Sequence, residues 1–139
     1  MNQTVVQARF VLGSEEISPE IITQRIGIIP NLCGKKGEIV NGKMPYPDSF
    51  WEIFTERSTS EDVSDQIGEI ITILKPSVQH IKALIENFNL TPMLSILIII
   101  ENGEAPVLSL SRDEIEFFNN LNTVMDFDIY ANPYNDPNL

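Results

Sequence analysis

The stretch MLSILIIIE, residues 93–101, restricts the folds open to this chain more than any other: seven apolar side chains and one serine precede the glutamate. A run of that length with isoleucine on both faces belongs in the middle of a sheet and is expected to be covered on both sides, because a half-solvated strand would alternate apolar with polar residues. It is far shorter than the ~20 residues needed to cross a bilayer as a helix, so no membrane span is expected. Asn102 and Gly103 follow immediately. Both central positions of a type I′ turn need positive φ, which these two residues tolerate, so the pair predicts a hairpin with a returning strand over 105–110. Pro106 cannot donate to a ladder and places that strand toward an edge.

Residues 4–12 also read as a strand, with Val6, Ala8, Phe10 and Leu12 as its inward row, and Gly13 and Ser14 are expected to end it. The next segment, ISPEIITQRIGIIP at 17–30, carries a full set of helix punctuation. Ser18 is the N-cap, Pro19 takes the first helical position, where a missing donor does no harm, and Glu20 faces the positive end. Ile17 and Ile22 are spaced as a hydrophobic staple, Gly27 supplies a left-handed stop, and Pro30 prevents resumption. Every conspicuous residue has a folding role, so the segment is read as scaffold. Residues 31–48 form a long connection rich in glycine, proline and lysine, with a short strand near 38–40. Residues 50–57 read as a strand with Trp51, Ile53 and Thr55 inward.

Ser58 with Glu61 has the spacing of a capping box, and Val63, Ile67, Ile70, Ile71 and Leu74 follow helical spacing up to Pro76, which breaks or kinks the helix. Val78, Ile81, Leu84, Ile85 and Phe88 continue the pattern on a second segment. Ser111 with Glu114 caps a further helix whose apolar side is Ile115, Phe118 and Leu121 beside Phe117, and DFDIY at 126–130 is a last short strand. The order β-α-β-β-α-α-β-β-α-β indicates an α+β fold, a mixed and mainly antiparallel sheet packed by helices. One domain over 1–131 and a flexible tail over 132–139 are expected. RFVLGSEEISPEI and PVLSLSRDEIEFF both run strand, small residues, capped helix, which hints at an internal duplication.

Charge narrows the function. The formal net charge is -11, and from residue 101 onward eight acids (Glu101, Glu104, Asp113, Glu114, Glu116, Asp126, Asp128, Asp136) stand against Arg112 alone. Such a surface repels a phosphate backbone and attracts cations, so the expected partner is a protein with a basic surface, and neither nucleic acid nor a membrane. The lone Cys33 allows no intramolecular disulfide, and MNQTVVQARF lacks the basic-then-apolar layout of a secretion signal, so a reducing, cytoplasmic setting is expected.

Chemistry-bearing sets are sparse. Cys33 and His80 are the only thiol and imidazole, and His80 stands beside the apolar stripe of its helix, facing solvent. A structural zinc site needs about four Cys or His ligands, more than the chain holds. Asp126 and Asp128 share a strand face, which suits a divalent ion or an acid/base pair, but no further ligand accompanies them. GKKGE at 34–38 and NGK at 41–43 offer backbone donors and lysine charge to an anion without forming a Walker sequence. Neither a metal nor a cofactor is expected.

Taken in order, ARFVLGS, ISPEIITQRIGIIP, KKGE, the tryptophan in FWEIF, the Pro-broken helix pair and the closing DFDIYA resemble a bacterial family of small proteins known as a domain of unknown function, over residues 5–131. The resemblance implies no established activity. By analogy with small acidic immunity proteins, the expected role is a non-enzymatic interaction domain that covers a basic toxin surface with Glu101, Glu104, Asp113, Glu114 and Glu116. The alternative is a small-ligand or anion-binding module built from Lys35, Lys36 and Lys43 with an aromatic wall from Tyr46 or Trp51.

Overall fold

The computed structural model describes residues 3–133 of the 139. Six strands form one mixed sheet: β1 (Val5–Ser14), β2 (Leu32–Gly34), β3 (Ser49–Phe54), β4 (Ser58–Thr59), β5 (Thr91–Ile100) and β6 (Val124–Ala131). Their order across the sheet is β2-β3-β1-β5-β6, with β4 also pairing β1. All pairings are antiparallel except β5 with β6, which is parallel. The helices are α1 (Pro19–Ile26), α2 (Ser64–Leu74), α3 (Val78–Phe88) and α4 (Arg112–Asn120), with a 3₁₀ turn at Lys75–Ser77 where Pro76 stands. The fold is α+β.

The core lies between the helices and one face of the sheet. Val6, Ala8, Phe10 and Leu12 of β1 and Leu94, Ile96 and Ile98 of β5 are buried there with Trp51 and Ile53 of β3, as strand alternation requires. Ile22, Ile67, Ile70, Leu74, Ile81 and Phe118 complete the layer from the helix side. Each such side chain contributes about 1.5–3 kcal/mol relative to exposure, so the apolar rows dominate the stability of the fold. The opposite sheet face carries no helix. Met93, Ser95, Leu97 and Ile99 are only half-buried, so β5 is central but not covered on both sides; its second apolar row is shielded by neighbouring strands alone.

Local punctuation at α1 follows the sequence. Pro19 starts the helix, Gly27 ends it at φ 73°, and Ile17 packs half-buried against the core that holds Ile22. Ser18 differs, because its side chain makes no capping hydrogen bond to the helix. Gly13 and Ser14 extend β1 instead of ending it, since Phe50 and Ser49 of β3 pair with them. The Ser14 hydroxyl then closes the turn, donating to the Ile17 carbonyl at 2.7 Å and accepting from the Ile17 N–H at 3.0 Å. In the long connection the short strand is β2, not 38–40.

Two further expectations are corrected. Ser58 and Glu61 form no capping box, because Ser58 and Thr59 are held as β4 against Val6 and Val5; α2 instead receives an acceptor from Asp62 Oδ1, 3.0 Å from the Ser64 N–H. Asn102 and Gly103 do adopt positive φ of 54° and 71°, yet no hairpin strand returns. Residues 105–110 leave the sheet, Val107 bonding instead to Glu61 and Val63, and β6 occupies the edge of β5. The strand read at 105–110 directly before α4 is absent; β5 precedes α4 instead, across a longer connection than the one joining β1 to α1. The observed order is β-α-β-β-β-α-α-β-α-β. The tail beyond Pro133, with Asp136, lies outside the described residues.

Helix α4 carries the complete capping box read from Ser111 and Glu114. The Ser111 hydroxyl accepts from the Glu114 N–H at 3.1 Å, and Glu114 Oε1 accepts from the Ser111 N–H at 2.9 Å. Ser111→Ala is therefore expected to lower the unfolding free energy by about 1 kcal/mol, measurable by urea titration. Phe118 and Leu121 are buried, whereas Ile115, placed on the same apolar side by sequence, is 50% exposed.

Candidate functional site

A hollow of about 760 Å³ opens where the start of β1, β4 and residues 104–107 meet. Its walls are built by hydrogen bonds that the sequence alone does not advertise. Thr4, nearly buried, donates its hydroxyl to the Glu104 carbonyl at 2.6 Å and accepts from the Glu101 N–H at 3.0 Å, pinning the turn after β5 to the N-terminal strand. Val107 donates to the Glu61 carbonyl at 2.7 Å and accepts from the Val63 N–H at 3.1 Å, fastening the segment to the entrance of α2. Glu61, Asp65 and Glu104 line the cleft with Thr59 and Ser60, and no lysine or arginine lines it. The Ser60 hydroxyl donates to the Asp62 carbonyl at 2.7 Å and lies 3.1 Å from Asp65 Oδ2. Three like charges in a solvated cleft repel one another weakly, and a cationic group brought among them relieves that repulsion.

Glu104 thus joins Glu61, read from sequence as part of a helix start, and Asp65, which no sequence motif marks. The other acids are distributed more widely. Glu101 accepts from Asn132 Nδ2, and Asp113 and Glu116 are exposed on α4. Glu114 is committed to the fold: beyond the capping box its Oε1 accepts from the Ser64 hydroxyl at 3.1 Å, tying α4 to α2. Asp126 and Asp128 stand exposed on the open face of β6. Tyr130 donates to Asp128 Oδ2 at 3.4 Å, and that bond with the nearby negative charge pushes the phenol above its ordinary pKa. Among the described residues no group of three or more His, Cys, Asp or Glu is placed to hold a metal.

The lysine-bearing loop presents a different picture from a preformed anion cradle. Lys35 Nζ lies 3.3 Å from Glu20 Oε1, so its charge is already matched. A backbone hydrogen bond at the helix start holds the Glu20 carboxyl below its ordinary pKa, Lys35 and Ser18 adding to it while desolvation opposes. Lys36 donates its backbone N–H to Ser49, and Lys43 is exposed beside the turn at Asn41 and Gly42. Tyr46 meets Phe50 edge-to-face at 5.0 Å over Gly34, where a Cβ would come within 2.6 Å of both rings. Trp51 is on the other side of the sheet, fully buried, its Nε1 donating to Thr23 Oγ1 at 3.1 Å. It fills the core and forms no wall with Tyr46. Cys33 on β2 and His80 on α3 are both exposed, and no hydrogen bond joins them among the described residues.

No helix among the described residues is long and apolar enough to cross a membrane. Neither a curated protein nor a solved structure matches the chain. A family model described as domain of unknown function (DUF4279) matches residues 3–132, nearly the whole length, and the chain belongs to that family.

Proposed function

We propose that the chain is a non-enzymatic interaction domain whose acidic surface receives a basic protein, in the manner of an immunity-type inhibitor that covers a cationic toxin. The observation that carries this reading is the cleft lined by Glu61, Asp65 and Glu104, with no lysine or arginine among the described residues of its walls. Exposed Asp113 and Glu116 extend the same sign over α4, on a chain of formal net charge -11. A field of one sign speeds encounter with an opposite surface and rejects like-charged competitors, which suits selection of one partner from a crowded mixture. The matched charge of Lys35 and the burial of Trp51 weigh against anion capture at the lysine loop.

The test is capture of partners from the native host by the intact chain and by the double variant Glu61→Lys, Glu104→Lys, followed by kinetics with the captured protein. Both side chains are exposed, so the variant is expected to fold. A basic protein bound by the parent should associate about tenfold more slowly with the variant at low salt, the gap closing as salt rises. Equal rates at low salt would remove the electrostatic reading.

A further inference from the structure

The two edges of the sheet are built differently. One is β2, three residues long, and the other is β6, eight residues long. β6 pairs with β5 along its whole length, from Val124 opposite Met93 to Ala131 opposite Ile100, and its outer edge has no partner among the described residues. A long open edge presents a row of unpaired N–H and C=O groups, and proteins blunt such edges with proline, charged side chains (lysine above all), a bulge or a covering element; on β6 the charges are Asp126 and Asp128, which repel an acidic strand and leave the edge open to a cationic one. VMDFDIYA contains neither proline nor lysine. Seven of its eight residues are exposed, whereas the neighbouring β5 has four that are fully buried.

The register assigns the β6 side chains to two rows. Asp126, Asp128 and Tyr130 follow Ser95, Leu97 and Ile99 onto the open face, while Phe127 and Ile129 follow Ile96 and Ile98 onto the helix side. Phe127 is 37% exposed and Ile129 48% exposed, so an added strand would find apolar surface on one side and two carboxylates on the other. In the register that stacks Phe127 on its own copy, a second chain fits poorly. A two-fold antiparallel pairing centred on Phe127 sets Asp126 of one copy against Asp128 of the other, and like charges directly opposite are destabilising.

We propose that the outer edge of β6 takes up an extended strand of a basic partner, with lysine or arginine at alternate positions against Asp126 and Asp128 and apolar side chains between them against Phe127 and Ile129. The backbone ladder supplies affinity and the two rows supply selection, as in other cases of strand addition. This deepens the reading given under Proposed function, since it rests on a basic partner, but it uses β6 and not the cleft.

The probe is a capped peptide alternating lysine and valine, added to the isotopically labelled full chain and followed by amide hydrogen exchange. Two controls are the same peptide N-methylated on alternate amides of its edge-facing side and a peptide with glutamate replacing lysine. The lysine peptide should slow exchange of the outward β6 amides by about tenfold or more, while both controls fail to do so. Asp126→Lys with Asp128→Lys should abolish the effect, and Glu61→Lys with Glu104→Lys should leave it intact. Equal binding of the N-methylated peptide would overturn strand addition while leaving the electrostatic reading standing. Equal binding of the glutamate peptide would overturn the selection for cations. Protection of those amides in the free chain together with a dimer in sedimentation would assign the edge to a second copy and overturn the proposal. Failure of the cleft reading shows separately, in unchanged partner kinetics of the Glu61, Glu104 variant.

Discussion

Trp51→Ala should lower the unfolding free energy by about 3–5 kcal/mol. The indole is fully buried beneath α1 and gives its only donor to Thr23, whose hydroxyl in turn donates to the Pro19 carbonyl at 3.1 Å. Removing the ring opens a cavity between β3 and α1 that neighbours on a hydrogen-bonded sheet fill only in part, so the cavity cost adds to the lost transfer energy. Trp51→Phe separates the contributions. It keeps most of the volume and leaves Thr23 Oγ1 without that donor, and it should cost less than half as much. Because Trp51 is the only tryptophan, unfolding of both variants is followed in urea by circular dichroism, and a loss below about 1 kcal/mol for Trp51→Ala would contradict the packing described here.

Arg9→Met should be nearly as damaging for a different reason. Glu52 is 3% exposed on the sheet face that bears no helix, in register between Val11 and Leu32. Its Oε1 accepts from Arg9 Nη2 at 2.6 Å and from Arg9 Nε at 3.1 Å. Arg9 itself is partly solvated, at 45% exposure, which tempers the energy of the pair. Taking away the guanidinium leaves a carboxylate buried without its counter-charge, and about 2–3 kcal/mol is expected. The double variant Arg9→Met, Glu52→Met removes both the charge and its need for a partner. It should recover most of the loss, since apolar replacements of a buried pair are often neutral or better. Urea titration of the two single variants and the double variant completes a mutant cycle, and a double variant weaker than Arg9→Met would refute the argument.

The parts of this fold legible in the sequence are those decided within a few residues. The inward row of β1, the stop at Gly27, the break at Pro76 and the box at Ser111 and Glu114 all follow from side-chain period or from one backbone group's need for a partner. What escaped was decided by residues far apart. The turn at Asn102 and Gly103 has the expected backbone, but turn chemistry does not say which strand wins the neighbouring edge, and β6 won it after a crossover through α4. Ser58 was read as a cap because its spacing to Glu61 is local, while its pairing with Val6 is not. Nothing local marks Glu52, which alternates with the inward row of its strand, as buried; its partner Arg9 stands 43 positions away. The candidate site divides in the same way: the acids were visible one by one, and only the folded chain brings Glu61 and Asp65 to Glu104.

Strand β1 lies in the middle of the sheet although it precedes the other five strands in chain order, and Val5 pairs with Ile99. At about 5–20 residues per second, translation leaves Val6, Ala8, Phe10 and Leu12 waiting several seconds for the partner that covers their flank. The loop closed by that pairing is long, so the conformational search it demands should slow folding relative to a chain whose neighbours in space are neighbours in sequence. During this interval the nascent N-terminal half exposes an apolar ribbon that only the later strand shields, so early chain segments are more prone to association than the finished molecule.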